Sequence, residues 1–135
     1  MSRLEFRDAI TERFHQKFKS RTDCVVAHEN GPKVGMDTST VPVIGYEIIY
    51  SNSEQSELSA NPGTKDEGTV LVTVLVKELS GNRTAISLRD EVAVLLQRQH
   101  VAGAVMAVGK ILPNSYLVKG WVGYRVAVPF WHYHY

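Results

Sequence analysis

GTVLVTVLVKE, residues 68–78, is the stretch that decides the fold, because β-branched residues occupy most of its positions. The valines at 70, 72, 74 and 76 would share one face of a strand. Leu71 and Leu75 would share the other face with two threonines. This alternation predicts a strand over 69–76 with both faces at least partly covered.

Helical periodicity occurs on both sides of this strand. Phe6, Ile10, Phe14 and Phe18 recur every four residues and predict a helix over about 4–18, begun by a capping box at Ser2 and Glu5. Apolar residues at the same spacing predict a second helix over about 83–99. Further apolar runs predict strands over 24–28, 41–50, 105–111 and 116–135, with a turn at 113–115.

The order of these segments indicates the fold class. Helices that interrupt an antiparallel meander are typical of an α+β layer. We therefore expect a mixed or antiparallel sheet of about four to five strands, with two amphipathic helices packed on one face. The whole chain, 1–135, is expected to form a single domain.

Residues 51–68, SNSEQSELSANPGTKDEG, separate two apolar runs and are almost entirely polar. This composition predicts a mobile loop or an extended hairpin tip. Loops of this length in compact domains are often functional. Its charged residues are therefore candidates for contacts with a partner, namely Glu54, Glu57, Lys65, Asp66 and Glu67.

Composition weakens several classes of function. Fifteen lysines and arginines against fourteen aspartates and glutamates leave a net charge of +1, which offers no basic excess to neutralise phosphates. Cys24 is the single cysteine, so no internal disulfide and no cysteine-based zinc site can form. The chain lacks an apolar run long enough for a membrane span, and its N-terminus does not look like a signal peptide. We expect a protein made and kept in a cytoplasm, or in something assembled there.

Motifs that carry chemistry are missing from the sequence. It contains no phosphate-binding glycine loop, no H-E-x-x-H and no C-x-x-C. We therefore expect no catalytic residues, no metal site and no cofactor, and we expect that the protein is not an enzyme.

The aromatic stretch VPFWHYHY, residues 128–135, has three interpretations. A metal site at His132 and His134 would need a third ligand, such as His28 or His100. A stacking platform for nucleic acid would need interleaved cations, and the nearest is Arg125. The interpretation we favour is a last strand, with Pro129 at an edge or a bulge.

Alternation along this last strand divides its side chains between two faces. Val122, Tyr124, Val126, Val128 and Phe130 would face the core. The opposite face would carry Trp121, Arg125, Trp131 and Tyr133. That much aromatic area suggests a surface covered by a partner.

The segment order and several stretches resemble the tail-terminator (minor tail) proteins of lambda-like, long-tailed bacteriophages. The resemblance rests on a short N-terminal helix, the proline-led VPVIGYEIIY, the polar loop, GTVLVTVLVKE, the helix SGNRTAISLRDEVAVLLQR and the closing GWVGYRVAVPFWHYHY. It covers nearly the whole chain and is carried by hydrophobic patterns, not by a catalytic motif. The tail after Pro129 is more aromatic than the family pattern requires.

The resemblance implies a structural protein of the virion, at the tail or neck, that is assembled in the host cytoplasm. Such a protein forms a homo-oligomeric ring, typically a hexamer, which caps the tail tube, terminates tail polymerisation and offers the surface for head-to-tail joining. Its partners would be the tail-tube protein and a head–tail connector or neck protein, with no nucleic-acid specificity beyond DNA passing through the ring. A connector or tail-tube subunit, or a small histidine-based metal-binding module or enzyme, remains an alternative.

Overall fold

The computed structural model describes residues 3–27, 41–55, 64–78, 81–101, 103–116 and 119–134. Within these ranges, two helices and seven strands follow one another along the chain. They are α1 (Arg3–Phe18), β1 (Val25–Ala27), β2 (Val43–Gln55), β3 (Thr64–Lys77), α2 (Arg83–Leu96), β4 (His100–Val101), β5 (Ala104–Met106), β6 (Lys110–Ser115) and β7 (Trp121–His134). The α+β class is confirmed, but the sheet has more than the predicted four to five strands.

One mixed sheet contains all seven strands. Its order is β1-β2-β3-β7-β5-β4, and β6 pairs with another part of β7. The β1–β2 pair is parallel and every other pair is antiparallel. The last strand therefore lies in the middle of the sheet, where it joins β3 to β5 and β6.

Both helices contribute to one core on the same face of the sheet. The four-residue repeat of α1 is buried as predicted, and it packs the Phe6 ring 4.4 Å from Phe130 and the Phe14 ring 4.2 Å from Tyr46. The buried stripe of α2 joins the valines of β3 in the same cluster. Burial of each such side chain stabilises the fold by about 1.5–3 kcal/mol before the entropic cost of ordering it. No helix among the described residues is long and apolar enough to cross a membrane.

Residues 51–55 and 64–68 belong to strands, not to the mobile loop that was one interpretation of their composition. β2 continues to Gln55 and β3 begins at Thr64, so the two strands form an extended hairpin, which was the other interpretation. Residues 56–63 lie outside the described residues. A bulge at Ser51 interrupts the ladder, since Tyr50 pairs with Gly68 but Asn52 pairs with Glu67. Polar side chains did not prevent pairing, because the ladder is made by the backbone.

Three features of the second half of the chain differ from the sequence prediction. α2 ends at Leu96 instead of 99, because Gln97 is extended and Arg98 has a left-handed φ of 56°. Three short strands, β4, β5 and β6, replace the single strand predicted over 105–111. The turn predicted at 113–115 lies within β6. Ser2 of the proposed capping box lies outside the described residues.

Pro129 was expected on an edge or at a bulge, yet it lies within the central strand β7. Its carbonyl accepts the Ala107 N–H at 2.8 Å. The nitrogen and carbonyl of one strand residue point to the same side, so the missing N–H of Pro129 faces away from β3. β7 changes its neighbour there, from β6 at residues 123–127 to β5 at 130–131. The proline therefore removes no bond from the β3 ladder.

Candidate interaction surface

The face of the sheet opposite the helices, here called the open face, is formed by alternate residues of β2, β3 and β7. No described helix packs on it, and its side chains are half-buried or exposed. They are Glu47, Ile49, Lys65, Glu67, Thr69, Leu71, Thr73, Arg125, Ala127, Trp131 and Tyr133. The valines of β3 on the helix face are fully buried by comparison.

An aromatic patch, formed by Trp131, Tyr133, Lys65 and Glu67, lies at the hairpin end of the open face. The Trp131 and Tyr133 rings meet edge to face at 5.4 Å and are 36% and 37% exposed. Lys65 places its ammonium 5.2 Å from the Trp131 ring and pairs with Glu67 at 3.2 Å. Exposed aromatic rings flanked by charges are typical of the centres of protein interfaces.

A buried polar network on the helix side lies beneath this patch and consists of Arg3, Tyr50, Asp66 and His132. Asp66 and His132 are fully buried and face each other across the β3–β7 ladder. Arg3 donates from Nε and Nη2 to the Asp66 carboxylate at 3.1 and 3.3 Å, and this hydrogen bonding raises the pKa of Arg3. The guanidinium also lies 4.0 Å from the Tyr50 ring centroid.

The Tyr50 hydroxyl and His132 Nε2 are 3.2 Å apart, which completes this network. His132 also lies against the rings of Phe6 and Phe130. Contacts from α1, β2, β3 and β7 converge here, so they tie these elements together at the level of Asp66 and His132. The aromatic patch above this network should therefore lose little conformational entropy when it binds a partner.

The structure separates the residues that the sequence grouped as interface candidates. Lys65, Glu67, Trp131 and Tyr133 come together in the aromatic patch, whereas Asp66 points to the opposite side of β3 and is buried. The expectation that Asp66 offers an exposed charge is therefore wrong, because its side chain alternates with those of Lys65 and Glu67.

The other candidates lie apart from the aromatic patch. Arg125 is farther along β7 and donates from Nε to the Pro113 carbonyl at 2.9 Å, which ties β7 to β6. Glu54 lies within β2, and Glu57 lies outside the described residues. Trp121, grouped with the outward aromatic residues, is buried near α2, where Thr84 and Val76 line the same small cavity.

Four histidines were considered as metal ligands, and His28 lies outside the described residues. His132 is enclosed by aromatic rings and the Tyr50 hydroxyl, His100 is exposed on β4, and His134 is the last residue of β7. In the described part of the chain, no group of three histidine, cysteine, aspartate or glutamate side chains is arranged to hold a metal ion.

Sequence reasoning missed Arg3 and Tyr50, which complete the buried network. The burial of Asp66 depends on Arg3, which is 63 residues away in sequence. No local pattern signals such a pair.

Comparisons with known proteins bear on the fold. No protein-family model and no curated protein matches the chain. One solved structure, known only by a sequence identifier, superimposes with a TM-score of 0.64 at 12% identity and covers 100% of this chain and 97% of that chain. At that identity the similarity shows that the α+β fold occurs at full length in another protein, and nothing further.

Proposed function

We propose that this protein is a structural subunit of a phage virion, of the tail-terminator type, that forms a homo-oligomeric ring on the end of the tail tube. The observation that carries the proposal is the aromatic patch held above the buried network. It combines exposed rings, a paired cation and anion, and a rigid support. Such a surface suits binding to protein and contains no arrangement for chemistry on a small substrate.

The open face supports the same proposal. A ring subunit needs two different surfaces that meet head to tail, and it needs further surfaces for the tube and for the neck. No helix among the described residues packs on the open face, and the aromatic patch lies at one end of that face. We assign the patch to the tail tube or to the connector, and the sheet edges to neighbouring subunits.

Assembly state is the first test. Native mass spectrometry and light scattering of the purified protein at high concentration should detect one closed ring, with six copies as the expected number. Electron microscopy with antibody labelling should place the protein at the tail–neck junction of particles. A protein that stays monomeric at high concentration and is absent from virions would contradict the proposal.

A tail-tube or connector subunit is the alternative within the same class. A tube subunit would polymerise into long structures under permissive conditions, whereas a terminator would stop at one ring. Adding the protein to growing tubes should therefore fix their length. The replacements Trp131→Ser and Tyr133→Ser should weaken attachment to tube ends or to connectors, while Val94→Ser, a matched change of an exposed apolar residue on α2, should not.

A further inference from the structure

We propose that two copies of this chain pack their open faces against each other about a two-fold axis and form a closed dimer. The axis runs parallel to the strands and passes midway between β3 and β7. The occupant of the open face in the free protein is therefore a second copy of the same chain. This contact goes beyond the proposed ring, whose subunits meet head to tail.

The open face is accessible to a second copy at both of its sides. Glu47 of β2 is exposed, and Trp131 and Tyr133 of β7 are 36% and 37% exposed. Lys110 of β6 is exposed and pairs with Ala127, so it extends the same face. Exposed rings on a sheet face are removed from water when a second sheet covers them.

One row of side chains across the open face has a carboxylate at one end and an ammonium at the other. Glu47 pairs with Leu71, Leu71 with Ala127, and Ala127 with Lys110. The row spans about 14 Å, and the axis passes through its midpoint. A half-turn about this axis exchanges the two ends of the row and keeps its level along the strands. Glu47 of each copy then faces Lys110 of the other copy.

The aromatic patch is self-complementary about the same axis. Lys65 pairs with Tyr133 and Glu67 with Trp131 across the β3–β7 ladder. The half-turn lays β3 of one copy over β7 of the other, so Tyr133 faces Lys65 of the opposite copy. An ammonium near an aromatic ring is attractive, and within the subunit Lys65 already lies 5.2 Å from the Trp131 ring. Both the patch and the charged row therefore favour the same pairing.

The geometry of packed sheets permits this contact. Sheets packed face to face lie about 10 Å apart, with strand directions within about 30° of each other. A crossing of 30° displaces the facing ends of the row by about 4 Å, which the long side chains of a glutamate and a lysine can span.

The area is sufficient for a reversible dimer. From Lys65 to Leu75 the face is about 34 Å long, and the strands β2, β3, β7 and β6 make it about 19 Å wide. Each copy therefore covers on the order of 600 Å², and the pair roughly 1,200–1,300 Å², at the lower limit of specific interfaces. We expect a dissociation constant in the micromolar range.

The symmetry of this contact limits what it can build. Both copies use the same surface, so the contact closes at two copies and cannot extend into a ring or a filament. It also covers the aromatic patch. The consequence that rests on the proposed function is that a subunit in this dimer cannot attach to a tube or connector through the patch, so tube ends compete with the second copy.

Charge reversal tests the contact by sedimentation equilibrium. Symmetry repeats each substitution, so Glu47→Lys alone and Lys110→Glu alone each place two pairs of like charges in the dimer. Each should raise the dissociation constant by about tenfold or more. The double variant should dimerise like wild type. An equimolar mixture of the two single variants should form a heterodimer as tightly as wild type, because every facing pair then has opposite charges.

Controls separate this contact from general effects of charge and folding. Asp8→Lys on α1 and Lys19→Glu just after α1 make the same charge changes at exposed positions on the helix side, and they should leave dimerisation unchanged. Leu71→Arg places a charge at the centre of the contact and should abolish the dimer. Val94→Arg, at an exposed apolar residue of α2, should not. Circular dichroism verifies that each variant is folded.

The outcomes distinguish this inference from the proposed function. A wild type that forms no dimer up to about 0.5 mM overturns the contact and leaves the ring function standing. The contact is also wrong if the charge variants and Leu71→Arg dimerise as tightly as wild type, or if neither the double variant nor the mixture recovers. If the dimer behaves as expected but no ring forms and virions lack the protein, the proposed function fails and the dimer stands.

Discussion

Arg3 and Asp66 form an ion pair whose two side chains differ in their exposure to solvent. The Asp66 carboxylate is fully buried, whereas the Arg3 side chain is half exposed and can return to water when its partner is removed. Loss of Arg3 leaves a buried charge without its guanidinium, which is the costlier change.

We expect Arg3→Ala to lower the free energy of unfolding by about 2–3 kcal/mol and Asp66→Asn by about 1 kcal/mol. Urea denaturation at pH 7 measures both values. Lys19→Ala, which removes an exposed cation just after α1, should change stability by less than about 0.5 kcal/mol. Equal losses for the Arg3 and Asp66 variants would contradict this account.

Cys24 gives the protein a pH dependence in the alkaline range. Burial raises the pKa of its thiol to about 11, from an ordinary value of 9.0. The folded state holds the proton to higher pH than the unfolded chain does, so this contribution to stability is complete below pH 9 and is lost as pH rises from about 9 to about 11. Urea midpoints should therefore fall more steeply over this range for wild type than for Cys24→Ala. Parallel curves would exclude the thiol as the cause.

For each helix and strand, the success or failure of the sequence prediction has a physical reason. The repeat from Phe6 to Phe18 and the valines of β3 were sufficient to predict α1 and β3, because one buried side determines each pattern. For residues 51–55 and 64–68, composition left a mobile loop and an extended hairpin open, and the hairpin forms because their pairing extends a ladder already begun by apolar residues. The three strands between α2 and β7 are too short to show a period.

For the aromatic patch, alternation identified Trp131 and Tyr133, while the buried network required a contact across 63 residues.

Gly68 sets the geometry of the extended hairpin. A Cβ at this position would overlap the Ile49 carbonyl oxygen and lie 2.9 Å from the Phe130 ring, next to the bulge at Ser51. We expect Gly68→Ala to destabilise by about 2 kcal/mol or more, because backbone must move. Gly45→Ala is the matched control on the same hairpin, with no atom within 4 Å of its Cβ, and it should be neutral or slightly stabilising. Thermal unfolding of both variants gives the comparison.

The end of α2 contains a strained residue that explains its early stop. Arg98 is the one non-glycine residue with a positive φ among the described residues. It directly follows Gln97, whose backbone is extended. The Gln97 side chain accepts the Gly109 N–H at 3.0 Å. Arg98→Gly should stabilise the protein by about 1 kcal/mol by relieving the left-handed backbone. Arg98→Ala keeps the strain and should not stabilise. Chemical denaturation distinguishes the two, and a stabilising alanine would point to the side chain instead.

At the scale of the whole molecule, the two tryptophans lie in different environments, and their fluorescence can be told apart by substitution. Trp121 is buried within the subunit, whereas Trp131 lies in the aromatic patch. If the protein binds a tail tube or connector through this patch, as proposed, Trp131 fluorescence should shift to shorter wavelength and Trp131 should become less accessible to acrylamide. Trp131→Phe should abolish the change and Trp121→Phe should retain it. A change carried by Trp121 would place the contact elsewhere.

The central position of β7 has a consequence for the order of events during synthesis. β7 follows every other described element along the chain and joins the β1–β2–β3 group to β5 and β6. A nascent chain that has not yet produced β7 holds separate groups of strands, and it lacks the residues that pair with Asp66 and complete the aromatic patch. The single sheet and the aromatic patch can therefore form only after β7 has been made.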